Sequence, residues 1–164
     1  MLQPPTFPDG ETARLVVFRL DEQRYALPLR AVERIVRAVA ITPLPNAPDI
    51  VLGVIDVEGE VLPVFDIRRR FGLPQRPLSS EDHLSIANAS GRRVALLIDA
   101  AEGVVERASA AILGAATLAP GIEHIHGVVQ LDDGLVLIHD LERFLSPDEA
   151  SAVERALIDA PRAN

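Results

Sequence analysis

The stretch from Gly53 to Phe71 reads Gly-Val-Ile-Asp-Val-Glu-Gly-Glu-Val-Leu-Pro-Val-Phe-Asp-Ile-Arg-Arg-Arg-Phe, and Gly127 to Phe144 repeats its plan. Gly53 aligns with Gly127 and Asp66 with Asp140, both at an offset of 74 residues (53 to 127, 66 to 140). Upstream, Arg24 to Val36 resembles Arg93 to Val105, and Leu15 to Phe18 matches Leu84 to Ala87, both at an offset of 69 (24 to 93, 15 to 84). Blocks recurring in one order mean that a small unit has been duplicated, so whatever one half folds into, the other must approximate.

That unit is β-rich. Leu15 to Leu20, a polar turn at Asp21 to Arg24, and Tyr25 to Leu29 read as a hairpin, with Pro28 at an edge or as the last strand residue. Val51 to Val57 and Val61 to Phe65 flank a Glu58-Gly59-Glu60 turn, and Gly72 lies one residue past a short helix opened by Asp66. In the second copy, Leu84 to Ala89 and Val94 to Ile98 flank Ser90-Gly91-Arg92, while Gly127 to Val129 and Leu135 to His139 flank Asp132-Asp133-Gly134. Gly53, Pro63, Asp66 and Asp140 are read as turn and cap positions.

Other segments are less regular. Arg30 to Val36 spaces Val32, Ile35 and Val36 three and four apart, which predicts one helical turn with an apolar face. Pro43, Pro45 and Pro48 predict an extended connection, and Gln75 to Asp82 a linker between the copies. No element is assigned to 106–120. Ser146-Pro147-Asp148-Glu149 combines an N-cap, a first-position proline and a third-position glutamate, opening a helix to about Ile158 with Ala150, Val153 and Leu157 on one face.

Composition narrows the function. A chain of 164 residues can bury its own core, and 48% hydrophobic with 4% aromatic content makes that core mostly Val, Leu, Ile and Ala. The net charge of −8 argues against nucleic acid, whose phosphates demand a basic face. Arg68, Arg69 and Arg70 read as a solvated face. Without cysteine there is no disulfide or thiolate chemistry, which fits a reducing, cytoplasmic setting. No apolar run reaches the ~18–20 residues of a membrane span, so no direct membrane insertion is expected. Residues 1–14, with Pro4, Pro5 and Pro8, read as a disordered lead-in.

Motifs for catalysis are lacking. There is no nucleophile elbow and no phosphate loop. His124 and His126, two apart, could approach His139 or Asp140, but two histidines supply half a tetrahedral zinc shell, so no metal or other cofactor is assigned.

With these features placed, the chain resembles the CheW family of chemotaxis coupling proteins from about Leu15 to the terminal helix. The resemblance is carried by Val17-Phe-x-Leu-x-x-x-x-Tyr25, Val32-Glu33-x-Ile35 and Thr42-Pro-x-Pro45. Gly53-Val-Ile, followed by Gly59-x-Val-x-Pro63-Val-x-Asp66-Ile-Arg68, is the strongest part; Val94 to Asp99 and Ile138-His-Asp-Leu141 complete it.

The resemblance implies a mainly β fold: two SH3-like five-stranded β-barrel subdomains packed together, with short helical turns and a C-terminal α-helix. Residues 15–146 would form the two lobes, with repeat blocks at about 15–71 and 84–144 and an exchange of strands left open, and 147–164 the helix and tail. It also implies a non-enzymatic adaptor binding the cytoplasmic tip of methyl-accepting chemoreceptors in a groove between the barrels. The regulatory domain of a CheA-type histidine kinase would be held by barrel-to-barrel contact. Receptor contact carries over to Val32, Arg34, Ile35, Glu58 and Gly59. The family usually has Asn-x-Arg-Gly at 56–59 and an acidic residue at 34, whereas this chain has Asp56-Val57-Glu58-Gly59 and Arg34, so the two charges are exchanged and Arg34 is expected to face Glu58. Two alternatives stay open: an adaptor or antagonist of a secondary chemosensory pathway, and a small ligand- or metal-binding barrel or enzyme using His124, His126 and Asp140.

Overall fold

A computed structural model describes residues 12–89, 91–114, 125–141, 143 and 145–159. Among the described residues there are eleven strands: β1 (Thr12–Leu20), β2 (Gln23–Pro28), β3 (Val32–Arg37), β4 (Val51–Val57), β5 (Glu60–Phe65), β6 (His83–Ala89), β7 (Arg92–Ile98), β8 (Ala100–Ala108), β9 (Ile112–Gly114), β10 (Ile125–Leu131) and β11 (Gly134–His139). The α-helices among the described residues are α1 (Ile67–Arg70) and α2 (Pro147–Asp159). β1 begins at Thr12, inside the stretch expected to be a lead-in, and 1–11 lie outside the described residues.

The strands form two sheets, ordered β8-β1-β2-β11-β10-β9 and β3-β6-β7-β5-β4. Each curls into a barrel-like subdomain. In the first, β8 continues through a 3-10 turn at Ser109–Ala111 into β9 on the opposite edge, so the chain joins the two edges. In the second, the segment after β3 reaches Thr42, which bridges Val54 on β4. The two orders correspond strand for strand, β3 with β8, β6-β7 with β1-β2, and β5-β4 with β11-β10.

The hairpins are exchanged. β1-β2 comes from the first repeat yet lies among strands of the second, pairing with β8 and, in parallel, with β11. Reciprocally, β6-β7 pairs with β3 and β5. The parallel joints occupy equivalent places, Ile138 beside Ala26 and Val64 beside Ala95.

An exchanged hairpin buries both faces, and its sequence is correspondingly apolar. Ala26 points into a cluster with Leu15, Val17, Val129, Val136 and Ile138, inside the first barrel. Ala95 joins Ile55, Leu62, Val64, Leu84 and Ile86 inside the second. Tyr25, Leu27, Val94, Leu96 and Ile98 face the other way, into a third cluster completed by Phe18, Phe65, Ile67 and, from α2, Val153.

The repeat-equivalent glycines do the same job. Neither sits in a turn: Gly53 lies at a bulge in β4 and Gly127 at a bulge in β10. A Cβ on Gly53 would stand 2.2 Å from the Thr42 carbonyl oxygen, and one on Gly127 would stand 2.5 Å from that of Leu113. Only glycine lets these backbones approach, because no real Cβ tolerates such contacts. Pro63, likewise read as a turn residue, is inside β5 opposite Val54. Asp66 does cap α1, accepting from the Arg68 N–H at 3.1 Å. Asp140 ends β11 at a turn and, like Asp66, lies 3.9 Å from an arginine three residues on, Arg143 in one case and Arg69 in the other.

The helical turn predicted at 30–36 is not there. Leu29–Ala31 is a 3-10 turn and Val32–Arg37 is a strand. A bulge is responsible: Val32 opposes Ala87 and Arg34 opposes Ile86, leaving Glu33 as the extra residue. One extra residue turns a two-residue alternation into a spacing of three, which mimics a helix face. The terminal helix is as read, with Ser146 Oγ accepting from the Glu149 N–H at 3.1 Å and the Glu149 carboxylate accepting from the Ser146 N–H at 2.9 Å. Its buried residues are Val153 and Ala156, while Ala150 is exposed.

Candidate docking site

The bulge in β3 decides what the protein offers to a partner. Val32 and Ile35 are half-buried and pack against the cluster between the sheets, whereas Val36 packs into the second barrel. Side chains of the described residues thus pack together between the barrels, and Val32 and Ile35 form an apolar rim to that cluster.

Beside that rim the β4–β5 turn carries Glu58 and Gly59, at φ 54° and 87°. Two positive φ values in a two-residue loop match the twist of a hairpin, and Asp56 secures it by accepting the Gly59 N–H at 2.8 Å. The left-handed conformation at Glu58, disfavoured for any residue with a Cβ, holds this side chain where Arg34 reaches it at 3.1 Å. The expected pair thus exists. Their side chains are 40% and 74% exposed, so the contact contributes under ~1 kcal/mol to folding. Alongside, Arg93 is clamped between Glu33 and Glu60, and Arg24 meets Glu102 and Asp133 at the equivalent place in the other barrel.

A second polar assembly escaped the sequence reading. Arg68 is buried, against the expectation of a solvated arginine face. Its guanidinium binds Asp99 at 2.6 Å, Asp21 at 2.8 Å and the Pro74 carbonyl at 3.3 Å. Arg76 bridges Asp82 and Asp99 at 2.5 and 2.6 Å. Burial alone would push the Asp99 carboxyl up; hydrogen bonds from Arg68, the Asp21 N–H and Arg76 outweigh it and hold Asp99 below the usual carboxylate range. No local signal marks Arg68, because its main partner lies 31 residues away.

This assembly borders a cleft of about 200 Å³ walled by Ile41, Leu52, Leu78 and Leu97. Its two guanidiniums are already matched by carboxylates, which removes the charge an anionic ligand would seek. His139 is buried, its ring edge-on to Phe71 at 5.1 Å, in a string with Tyr25 and Phe18. His126 sits at the bulge in β10, and His124 lies outside the described residues. Among the described residues no three His, Cys, Asp or Glu side chains come together as a metal set.

A family model described as a CheW-like domain matches residues 14–149. The chain belongs to the CheW-like family. Its relatives include the chemotaxis protein CheW of Treponema pallidum, 27% identical over 151 residues that cover 88% of this chain and 89% of that one. Protein FrzA of Myxococcus xanthus is 31% identical over 117 residues, covering 69% and 71%. Among solved structures, the scaffolding protein TtCheW of Thermoanaerobacter tengcongensis superposes with a TM-score of 0.78 at 26% identity, covering 85% of this chain and 96% of that one. The CheW-like family is one of chemotaxis scaffolds rather than enzymes, and the doubled β fold described above is its fold. Among the described residues no helix is long and apolar enough to cross a membrane.

Proposed function

We propose that this chain is a cytoplasmic coupling protein that joins the tips of methyl-accepting chemoreceptors to the regulatory domain of a CheA-type histidine kinase and transfers no chemical group. Recruitment to membrane-associated arrays would follow from receptor binding alone. The reading rests on kinship with CheW-like scaffolds and on one observation, the half-exposed pair Val32 and Ile35 beside the Arg34–Glu58 ion pair. An apolar rim with a charged edge suits a helical partner, which supplies anchors at i, i+3 and i+4 while the charges set register and exclude wrong partners.

The exchanged polarity of that ion pair favours a particular receptor set. Reversing both charges keeps the internal contact and inverts the local field offered to a partner. Binding of a receptor cytoplasmic fragment is therefore expected to fall about 3- to 10-fold for Arg34→Glu or Glu58→Arg alone and to recover in part when both are swapped, an effect of the size of a rim charge. Strictly additive losses in the double swap, measured by titration calorimetry, contradict a functional pair.

A further inference from the structure

The rim continues beyond Ile35. Val36 and Ala38 pack into the second barrel, so by strand alternation Ile35 and Arg37 share the opposite face, the one that carries the rim, and Val39 follows past the end of β3. Across the sheet Arg37 stands opposite His83, and Ile35 opposite Ser85, on that same face. Arg37 is exposed and Val39 is 51% exposed.

Arg37 stands out in its charge environment. The chain has 24 acidic residues against 16 basic ones. Arginines near it are matched, Arg34 with Glu58, Arg93 with Glu33 and Glu60, and Arg76 with Asp82, the residue just before His83. Arg37 meets no carboxylate among the described residues. In a protein this acidic, a cation left unmatched beside an apolar side chain offers a local attraction that opposes the overall repulsion of an acidic partner.

The spacing defines what fits. Ile35 and Arg37 are two strand residues apart, about 7 Å. One turn of an α-helix spans about 5.4 Å. From this we infer that the partner segment on this face is an amphipathic helix laid along β3, with an apolar residue against Ile35 and a carboxylate one turn further on that meets Arg37. This deepens the coupling-protein reading and rests on it, assigning Arg37 as the residue that selects for acid on the receptor tip.

The probe is the soluble cytoplasmic fragment of a methyl-accepting chemoreceptor, followed by biolayer interferometry at low and high salt. Arg37→Glu is expected to slow association about 5- to 10-fold at low salt, with the difference shrinking near 0.5 M salt as the Debye length falls to about 4 Å. Arg37→Lys should bind nearly as the parent does, and Arg37→Gln should fall between. Replacing tip glutamates of the receptor one at a time by arginine should identify one position that restores binding to Arg37→Glu. Because Arg37 is exposed, melting temperatures of these variants should match the parent, and Val32→Asp serves as the control for the rim itself. Unchanged rates for Arg37→Glu, with Val32→Asp abolishing binding, overturn this inference and leave the coupling reading standing. Unchanged rates for both variants remove the rim as the receptor site altogether. If Arg37→Glu instead alters the molar mass of the chain alone by light scattering, the occupant is a second copy and the inference is overturned.

Discussion

Arg68 ties three parts of the chain that are far apart in sequence: the β1–β2 turn through Asp21, the end of β7 through Asp99, and the linker through Pro74. Removing one partner of a buried pair leaves the others uncompensated, so Arg68→Met is expected to cost about 2–4 kcal/mol, read as a lower urea midpoint at unchanged m. The pH dependence follows from the same contacts. Asp99 titrates below its usual range in the folded protein, and so does Glu149, where burial is outweighed by the Ser146 N–H and by Arg70. On acidification the unfolded chain therefore takes up protons first. The stability these carboxylates supply is fully present above about pH 5 and is lost as pH falls through 4 toward their folded values. Acid unfolding followed by circular dichroism should show that loss, and Arg68→Met, having surrendered part of it already, should lose less. Equal slopes for the two proteins would mean that Arg68 does not hold Asp99 ionised.

At the scale of elements, the hairpin exchange makes the halves mutually dependent. Taking β6-β7 from the second sheet would leave β3 without a neighbour, and taking β1-β2 from the first would strand β8. Arg24 and Arg93 reinforce this, because each sits on an exchanged hairpin and pairs with carboxylates of the host strands. Cleaving the full chain at a protease site placed after Leu78, which is 47% exposed in the linker, should leave both pieces eluting as one species and melting in a single transition. Two separately folded monomers would contradict the exchange. The duplication itself was legible in the sequence, since Gly53 and Gly127, or Asp66 and Asp140, recur at one offset, the glycines at equivalent bulges and the aspartates each 3.9 Å from an arginine three residues on. Which copy's hairpin enters which sheet was not, because similarity says what is alike and nothing about who pairs with whom. β3 was misread for a different reason: a single bulged residue at Glu33 shifts the apolar spacing from two to three. Arg68 was invisible because a run of three arginines looks solvated until its distant acids are in place.

Across the whole molecule, the described residues form two barrel interiors and a third apolar cluster between them, to which α2 contributes Val153. Where the resemblance implies a groove, Val32 and Ile35 form a surface rim on β3, and Arg34 of the same strand pairs with Glu58 beside Gly59 in the β4–β5 turn. A coupling protein needs two independent surfaces, one for each partner, so that losing the first spares the second. The decisive measurement is co-sedimentation of the chain with a receptor fragment and a kinase regulatory domain together, comparing the parent with Val32→Asp. A ternary complex for the parent, and for the variant a loss of receptor with the kinase domain retained, is the predicted result. Simultaneous loss of both partners from a folded variant, or of neither, would contradict it.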